Sequence, residues 1–276
     1  MALFGMLLKE KYDFEVAFVN YKTRENSDYE QKLVEEYASE HGIKCHVLEK
    51  KCSSAGNFEN NARKIRYKFF FDVVKRQKNI DGILVAHNAD DSIETYIIQN
   101  RRKVLTDKYG LTFSTKMREI NIYRPLLRYE KNFLELYCVK NNIPYSIDAT
   151  NFDEKYLRNS IRSRIVSKLK LEEKNEFLEI IDRQNSKLQK VYKQFENNIL
   201  GNEAIIFTKN IEVLQRFLFY FVKKQGNFLL QPQYKNLIDD IINDRFNQLY
   251  NFKKFFIIEA FYFVFWKSEA MVYCNK

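Results

Sequence analysis

Chain breakers are scarce in this sequence, with three prolines and seven glycines in 276 residues. So few turn-makers exclude a loop-rich or collagen-like architecture and favour long regular elements. The four cysteines, Cys45, Cys52, Cys138 and Cys274, are scattered and form no C-x-x-C pair. They support neither a disulfide framework nor a zinc site, and isolated thiols fit a reduced, cytoplasmic setting. Long apolar runs are also missing. Met1 to Leu8 is apolar but short, without the basic flank or cleavage site of a secretory signal. Phe255 to Trp266 is interrupted by Glu259 and is too short to cross a bilayer, so no membrane partner is expected.

Aromatic side chains and positive charge are abundant. The 24 phenylalanines and 18 tyrosines can fill the core of one large domain or of two modest ones. The formal net charge of +10 favours a polyanionic partner, nucleic acid first.

Periodicity sets out the order of elements. Residues 2–12 read as a helix with no strand before it, and Phe14 to Val19 as a strand. Ser27 and Glu30 form an S-x-x-E capping box, and the helix behind them should stop at His41-Gly42. A strand follows at Lys44 to Leu48. Asn57 is placed to cap a long helix, whose Phe58, Ala62, Ile65, Phe69 and Val73 recur at helical spacing. Ile83 to Ala86 is a short buried strand, and a helix capped by Asp90 comes next. Residues 101–119 show no period and read as an excursion or a mobile loop. Ile122 to Leu127, Lys131 to Asn141 and Pro144 to Ile147 read as strand, helix and strand. Strands alternating with helices predict an α/β fold with a doubly wound, mainly parallel sheet. Beyond about residue 170 the segments 171–200, 211–225 and 232–244 are charged and helix-favouring, and an aromatic tail follows at 246–273. Two domains are therefore expected, 1–170 and a mainly helical 171–276.

In such sheets ligands bind beyond the carboxyl ends of the strands, so the segments after the strands are where chemistry should lie. The first stretch of interest is Ala86-His87-Asn88-Ala89-Asp90-Asp91-Ser92-Ile93-Glu94-Thr95. Asp91 and Glu94 are three apart and share a helix face beside His87. Two carboxylates and an imidazole there could hold Mg²⁺ and meet polyphosphate; the plainer reading is acids that merely suit a helix start. The second stretch is Asn57 to Tyr67, where Arg63 and Arg66 lie one turn apart and suit bidentate phosphate binding. A solvated basic face is the alternative. The third is Asp148 to Arg162. There Leu157, Ile161, Ile165 and Leu169 form a stripe, and Arg158 and Arg162 fall together at i, i+4. A bound anion would offset their repulsion, as would a nearby acid such as Asp153 or Glu154.

These three stretches, with Arg124-Pro125-Leu126-Leu127 between the second and third, resemble the tRNA(Ile)-lysidine synthetases. That family belongs to the PP-loop (N-type) ATP pyrophosphatases, of adenine nucleotide alpha hydrolase-like fold. Its G-H-H-x-D-D-Q-x-E-T run corresponds to Ala86 through Thr95, and its N-L-E-x-x-A-R-x-x-R-Y helix to Asn57 through Tyr67. Its D-x-S/T-N…Y-x-R-N-x-I-R segment corresponds to Asp148 through Arg162, and its V-N-H strand end to Val19-Asn20-Tyr21. The resemblance covers residues 1–170; beyond them it implies a helical tRNA-binding domain.

The resemblance implies a ligase that uses ATP and Mg²⁺. C2 of the wobble cytidine in a CAU-anticodon tRNA(Ile) is adenylated, then L-lysine displaces AMP to leave lysidine, so the tRNA reads AUA. His87, Asp91 and Glu94 would be catalytic, with Asp91 and Glu94 also the candidate Mg²⁺ ligands. Arg63, Arg66, Arg158 and Arg162 would meet phosphate or the activated tRNA, while Val19, Asn20 and Ala86 would line the nucleotide. A homodimer is a further implication. Two other functions fit the same superfamily: a tRNA thiolase, against which the lack of C-x-x-C argues, and a non-catalytic tRNA-binding relative. There are departures from the pattern. Asn88 replaces the second histidine, Ala86 the glycine, Ser92 the glutamine and Tyr21 the V-N-H histidine. The S-G-G-x-D-S phosphate loop is absent, since Met1-Ala2-Leu3-Phe4 aligns just after it. The polypeptide as written is therefore expected to bind ATP poorly and to be inactive, and a start assigned at an internal methionine, or a truncation, of a longer native protein is the expected reason.

Overall fold

A computed structural model gives the fold and describes residues 1–23, 26–51, 58–77, 79–146, 157–197, 199–200, 203–206, 211–224 and 263–265. The chain divides into two compact units: Met1–Thr95 with Gly110–Leu178, and Tyr96–Tyr109 with Glu179–Lys276. Sequence composition alone places the boundary near 170.

The first unit is built on parallel strand pairs. β1 (Val16–Asn20) lies parallel to β2 (Cys45–Glu49), with Val16 opposite Cys45 and Asn20 opposite Glu49. Two parallel neighbours need a crossover, and α2 (Ser27–Glu40) supplies it. α1 (Ala2–Lys9) precedes β1, and α3 (Phe58–Arg76) follows β2. A second parallel pair joins β3 (Gly82–Leu84) to β5 (Ile120–Tyr123), with α4 (Ala89–Arg102) between them in sequence. α5 (Lys131–Lys140) and α6 (Leu157–Arg164) complete the unit, together with the first residues of α7 (Leu171–Glu196). This is the α/β, mainly parallel architecture that the alternation predicts.

Apolar clusters among the described residues hold these elements. Phe4 of α1 meets Phe14 and Tyr37 edge-on, at centroid distances of 5.3 and 5.0 Å, within a cluster that includes Ala38, Leu134, Cys138 and Ile143. Tyr67 and Phe71 of α3 pack on Ile122 of β5, with Ile83 and Val85 beside them. α2 stops where expected: Gly42 takes a positive φ of 65°, and the Ile43 amide donates to the Ala38 carbonyl at 2.9 Å.

Gly82 matters for a different reason. A Cβ there would lie 2.8 Å from the Asn121 carbonyl oxygen and 2.9 Å from the Tyr123 ring. Backbone across a strand pair cannot give way as a side-chain tip can. Gly82→Ala is expected to cost about 1–3 kcal/mol, read as a lower thermal midpoint. An unchanged midpoint would mean that β3 and β5 move apart freely.

The structure corrects some local expectations. Asn26, not Ser27, precedes α2, and no side-chain cap bond is made; the Ser27 carbonyl instead accepts from the Asn20 amide at 3.2 Å. Residues 101–119 are not a featureless excursion, because β4 (Ser114–Met117) pairs antiparallel with β5. The strand expected at Ile122 to Leu127 runs instead from Ile120 to Tyr123 and gives way to a turn. No strand forms at residues 144–146, while Ile147 lies outside the described residues. α6 ends at Arg164 and tightens into a 3₁₀ turn, Val166–Lys168. That change of pitch breaks the four-residue stripe. Ile161 and Val166 are buried, whereas Leu157 is exposed. Asn57, as a cap of α3, lies outside the described residues.

The second unit holds the rest of α7 and α8 (Ile211–Lys224), whose Leu214, Phe217, Leu218 and Phe221 are buried at i, i+3, i+4 and i+7. A small antiparallel sheet accompanies them: β6 (Ile199–Leu200), β7 (Glu203–Ile206) and β8 (Phe263–Phe265). The helix expected at 232–244 lies outside the described residues. No described helix is long and apolar enough to cross a membrane.

Candidate active site at the start of α4

The Val85 amide donates to the Tyr123 carbonyl at 2.8 Å, which extends the β3–β5 pairing one step and delivers His87 beyond the carboxyl ends of both strands. The chain then turns straight into α4. Asn88, the residue that departs from the family motif, supplies the turn chemistry. Its Oδ1 accepts from the Asp91 amide at 3.2 Å, and the Asp91 carboxylate accepts from the Asn88 amide at 3.0 Å. This reciprocal pair is a capping box, with Asn88 as the cap and Asp91 three residues on. Asp90 is therefore not the cap that the sequence pattern suggests. Asn88→Ala should cost about 1 kcal/mol by leaving the Asp91 amide without its acceptor, while the Asn88 backbone amide still holds the Asp91 carboxylate. Chemical denaturation reads that cost, and an unchanged midpoint would refute the capping role.

Glu94, one turn further along, is fully buried at 0% exposure. Arg158 donates through Nε to Glu94 Oε2 at 2.9 Å. Arg162 donates through Nε to Oε1 at 2.5 Å and through Nη2 to Oε2 at 3.1 Å. Asp91 joins the same group, with Arg162 Nη2 at 3.2 Å and Arg158 Nη2 at 3.6 Å. Spacing on α6 explains the meeting: residues four apart share a face, and that face is turned to α4. The mutual repulsion of the two guanidiniums is offset by acids from 64 to 71 residues upstream in the chain; Asp153 and Glu154, the nearby acids that the sequence suggests, lie outside the described residues. Burial works against the charge on Arg162, but the hydrogen bond from Arg162 to Glu94 and the attraction of Glu94, Asp91 and Asp90 outweigh it and raise its pKa.

His87 is pushed the other way, from 6.5 to about 4. Burial is the main cause, with the positive charges of Arg124, Arg158 and Arg66 adding to it and Asp91 opposing it. The imidazole is thus neutral at physiological pH, and its Nδ1 is buried without a hydrogen-bond partner among the described residues. A histidine whose folded pKa is depressed binds its proton more readily in the unfolded chain. Its contribution is complete above pH 6.5 and is lost as pH falls from 6.5 towards 4, by up to roughly 3 kcal/mol. Stability measured over that range should fall more steeply for the native chain than for His87→Gln; parallel curves would contradict the assignment.

The other residues singled out from sequence fall as follows. Arg66 lies within electrostatic reach of His87, and both Arg63 and Arg66 sit over the Tyr67 ring, at 4.7 and 5.9 Å. Asn20 is buried, and its side-chain amide is spent on bracing the turn after β1, with Asp28 and Gln31 each at 2.8 Å. Val19 is buried in β1 and Ala86 is exposed after β3. The oxygens of Asp91 and Glu94 face guanidinium groups in this arrangement, so holding Mg²⁺ there would require Arg158 and Arg162 to withdraw and substrate phosphates to complete the ligand set.

Two buried charged groups escaped the sequence reading. Arg124, 4% exposed, follows β5 and donates through Nη1 to the Thr112 carbonyl at 3.0 Å and to Thr115 Oγ1 at 3.2 Å. Lys174, 3% exposed, places Nζ 3.1 and 3.0 Å from the two carboxylate oxygens of Asp90 and 3.3 Å from Glu130. Arg124 stands within a quoted motif that gives it no role. Lys174 carries no local signal, since its partners are 84 and 44 residues away.

Residues 1–169 match the family model described as "PP-loop domain". Curated relatives named "tRNA(Ile)-lysidine synthase" match most of the chain. The Mesoplasma florum protein is 33% identical, over 82% of this chain and 58% of its own length. The Ureaplasma parvum protein is 32% identical, over 87% and 71%. The Campylobacter jejuni protein is 32% identical, over 86% and 72%. The chain thus spans under two thirds of the Mesoplasma florum relative, and 63% of the one from Mycoplasma mycoides. Among solved structures, a U34-tRNA thiolase from Methanococcus maripaludis shares the fold, with a TM-score of 0.52 at 13% identity over 67% of each chain.

Proposed function

Because the chain belongs to the PP-loop domain family, and within it to the tRNA(Ile)-lysidine synthases, we propose that it is an ATP-dependent ligase that joins L-lysine to C2 of the wobble cytidine of a CAU-anticodon tRNA(Ile). The observation that carries this reading is the four-charge group of Asp91, Glu94, Arg158 and Arg162 beside a neutral His87, within the span that matches the family.

The O2 oxygen of the cytidine attacks the α-phosphorus of ATP and pyrophosphate leaves. The lysine ε-amine then attacks C2, the C–O bond to AMP breaks, and the amine nitrogen gives up its proton. Two demands follow: positive charge for the phosphates, and a negative site for the incoming ammonium. The group can meet both because its charges balance. Phosphate oxygens would draw Arg158 and Arg162, with Arg63 or Arg66 from α3, and the acids so released would take the lysine ammonium. Neutral His87 would accept a hydrogen bond at the reacting centre, and the amine's proton would pass to one of the released carboxylates. Asn20 and Val19, at the end of β1, and Ala86, after β3, would approach the nucleotide with their backbone. Residues 171–276 would bind the tRNA, and the protein would act as a homodimer in the cytoplasm.

The test is Asp91→Ala in the native protein. AMP formation with ATP, lysine and the cognate tRNA should be lost while tRNA binding survives. Equal loss of both would make Asp91 a structural residue and remove this reading of the site.

A further inference from the structure

The second unit carries a charged surface that the proposed chemistry does not use. α7 turns Ile181, Leu188, Tyr192 and Phe195 towards one side. The segment 96–109 is tied to that same side: Gln184 donates to the Tyr96 hydroxyl at 3.0 Å, Asn185 donates to the Tyr109 carbonyl at 3.0 Å, and Tyr192 donates to the Thr106 carbonyl at 3.2 Å. At about 100° per residue, Arg183, Lys187 and Lys190 fall within an arc of roughly 60° on the opposite side of the helix. All three are exposed, and Lys193 flanks them.

From residue 183 to 193 there are four cations and no acid, and none of the four makes an ion pair among the described residues. The earlier turns on the same face carry Glu172, Glu176 and Glu179, so the sign of the face changes at about residue 180. Complementing the helix dipole does not account for this. That effect fades within the last turn, and Arg183 lies more than three turns from the end of α7 at Glu196. Neighbours three and four apart with like charge repel, so the row opposes itself unless something negative lies along it.

We propose that Arg183, Lys187 and Lys190 form a ridge that grips the phosphate backbone of the tRNA. The ridge and Lys193 together run for roughly 15 Å, long enough to follow one strand. An RNA backbone supplies a row of single charges, and flexible ammonium stems suit contacts that carry no sequence information. The proposal rests on tRNA being the substrate and adds contacts that the proposed chemistry does not itself use.

The experiment is the triple variant Arg183→Glu, Lys187→Glu, Lys190→Glu, with a matching Gln set that keeps helix propensity and removes only the charge. Affinity of the native protein for CAU-anticodon tRNA is measured by fluorescence anisotropy across salt concentrations. The Gln set should bind roughly 100-fold more weakly at 0.1 M salt, and its log K against log salt should be shallower by about two to three. The Glu set should be weaker still, with thermal midpoints unchanged. At saturating tRNA the rate of lysidine formation should be that of the native protein. Unchanged affinity and slope in both sets would overturn the ridge even if lysidine forms. Loss of affinity in variants of a protein that makes no lysidine would instead sustain the ridge and remove the ligase reading.

Discussion

Glu94→Ala should abolish lysidine formation and destabilise the protein by about 3–5 kcal/mol, the largest effect expected of any single change at the site. The carboxylate is fully buried and accepts from both Arg158 and Arg162. Removing it takes away the carboxylate that both guanidiniums share and leaves them closer to net positive, with Asp91 still beside them. Glu94→Gln separates the two consequences. The amide keeps the shape and one acceptor oxygen, so less stability is lost, but the site no longer has a second negative charge for the ammonium. Near-native activity in Glu94→Gln would show that this charge is not needed.

Lys174→Met should cost a similar amount, about 3–5 kcal/mol, although Lys174 touches none of the residues proposed to meet substrate. Its ammonium is enclosed by Asp90 and Glu130, and both acids stand at helix starts. Asp90 belongs to the first turn of α4, and Glu130 immediately precedes α5. The Ala89 amide also donates to the Tyr129 carbonyl at 2.9 Å, so the two helix starts are tied by backbone as well as by charge. Methionine fills much of the lysine stem volume, which leaves the uncompensated acids as the chief loss. The double variant Lys174→Met, Asp90→Asn should recover a large part of the stability, because it removes one of the two stranded charges. Strict additivity of the two single changes would contradict the pairing.

Legibility from sequence depends on range. The parallel pairs are readable because apolar runs such as Val16 to Val19 and Ile83 to Ala86 alternate with helical periods. The end of α2 is readable because Gly42 marks it. His87, Asp91 and Glu94 are readable as a group because helix spacing places them together. What they touch is not readable. Arg158 and Arg162 look like a bare cationic pair in sequence, since the acids that satisfy them come from α4 and only the fold brings α4 and α6 together. Asp90 reads as the cap because it precedes the apolar repeat. Asn88 wins the position because both its amide and its side chain engage Asp91. β4 is hidden because, among the described residues, it pairs with β5 alone and its side chains are mostly exposed, leaving no alternation to detect.

The most direct test of the central claim is nucleoside mass analysis of tRNA(Ile) bearing a CAU anticodon, after incubation of the native protein with ATP and isotopically labelled lysine. Label recovered in the wobble nucleoside, with AMP and pyrophosphate released in equal amounts, is the predicted result. An unlabelled cytidine in tRNA that is nevertheless bound would contradict the ligase account and leave a tRNA-binding relative without catalysis.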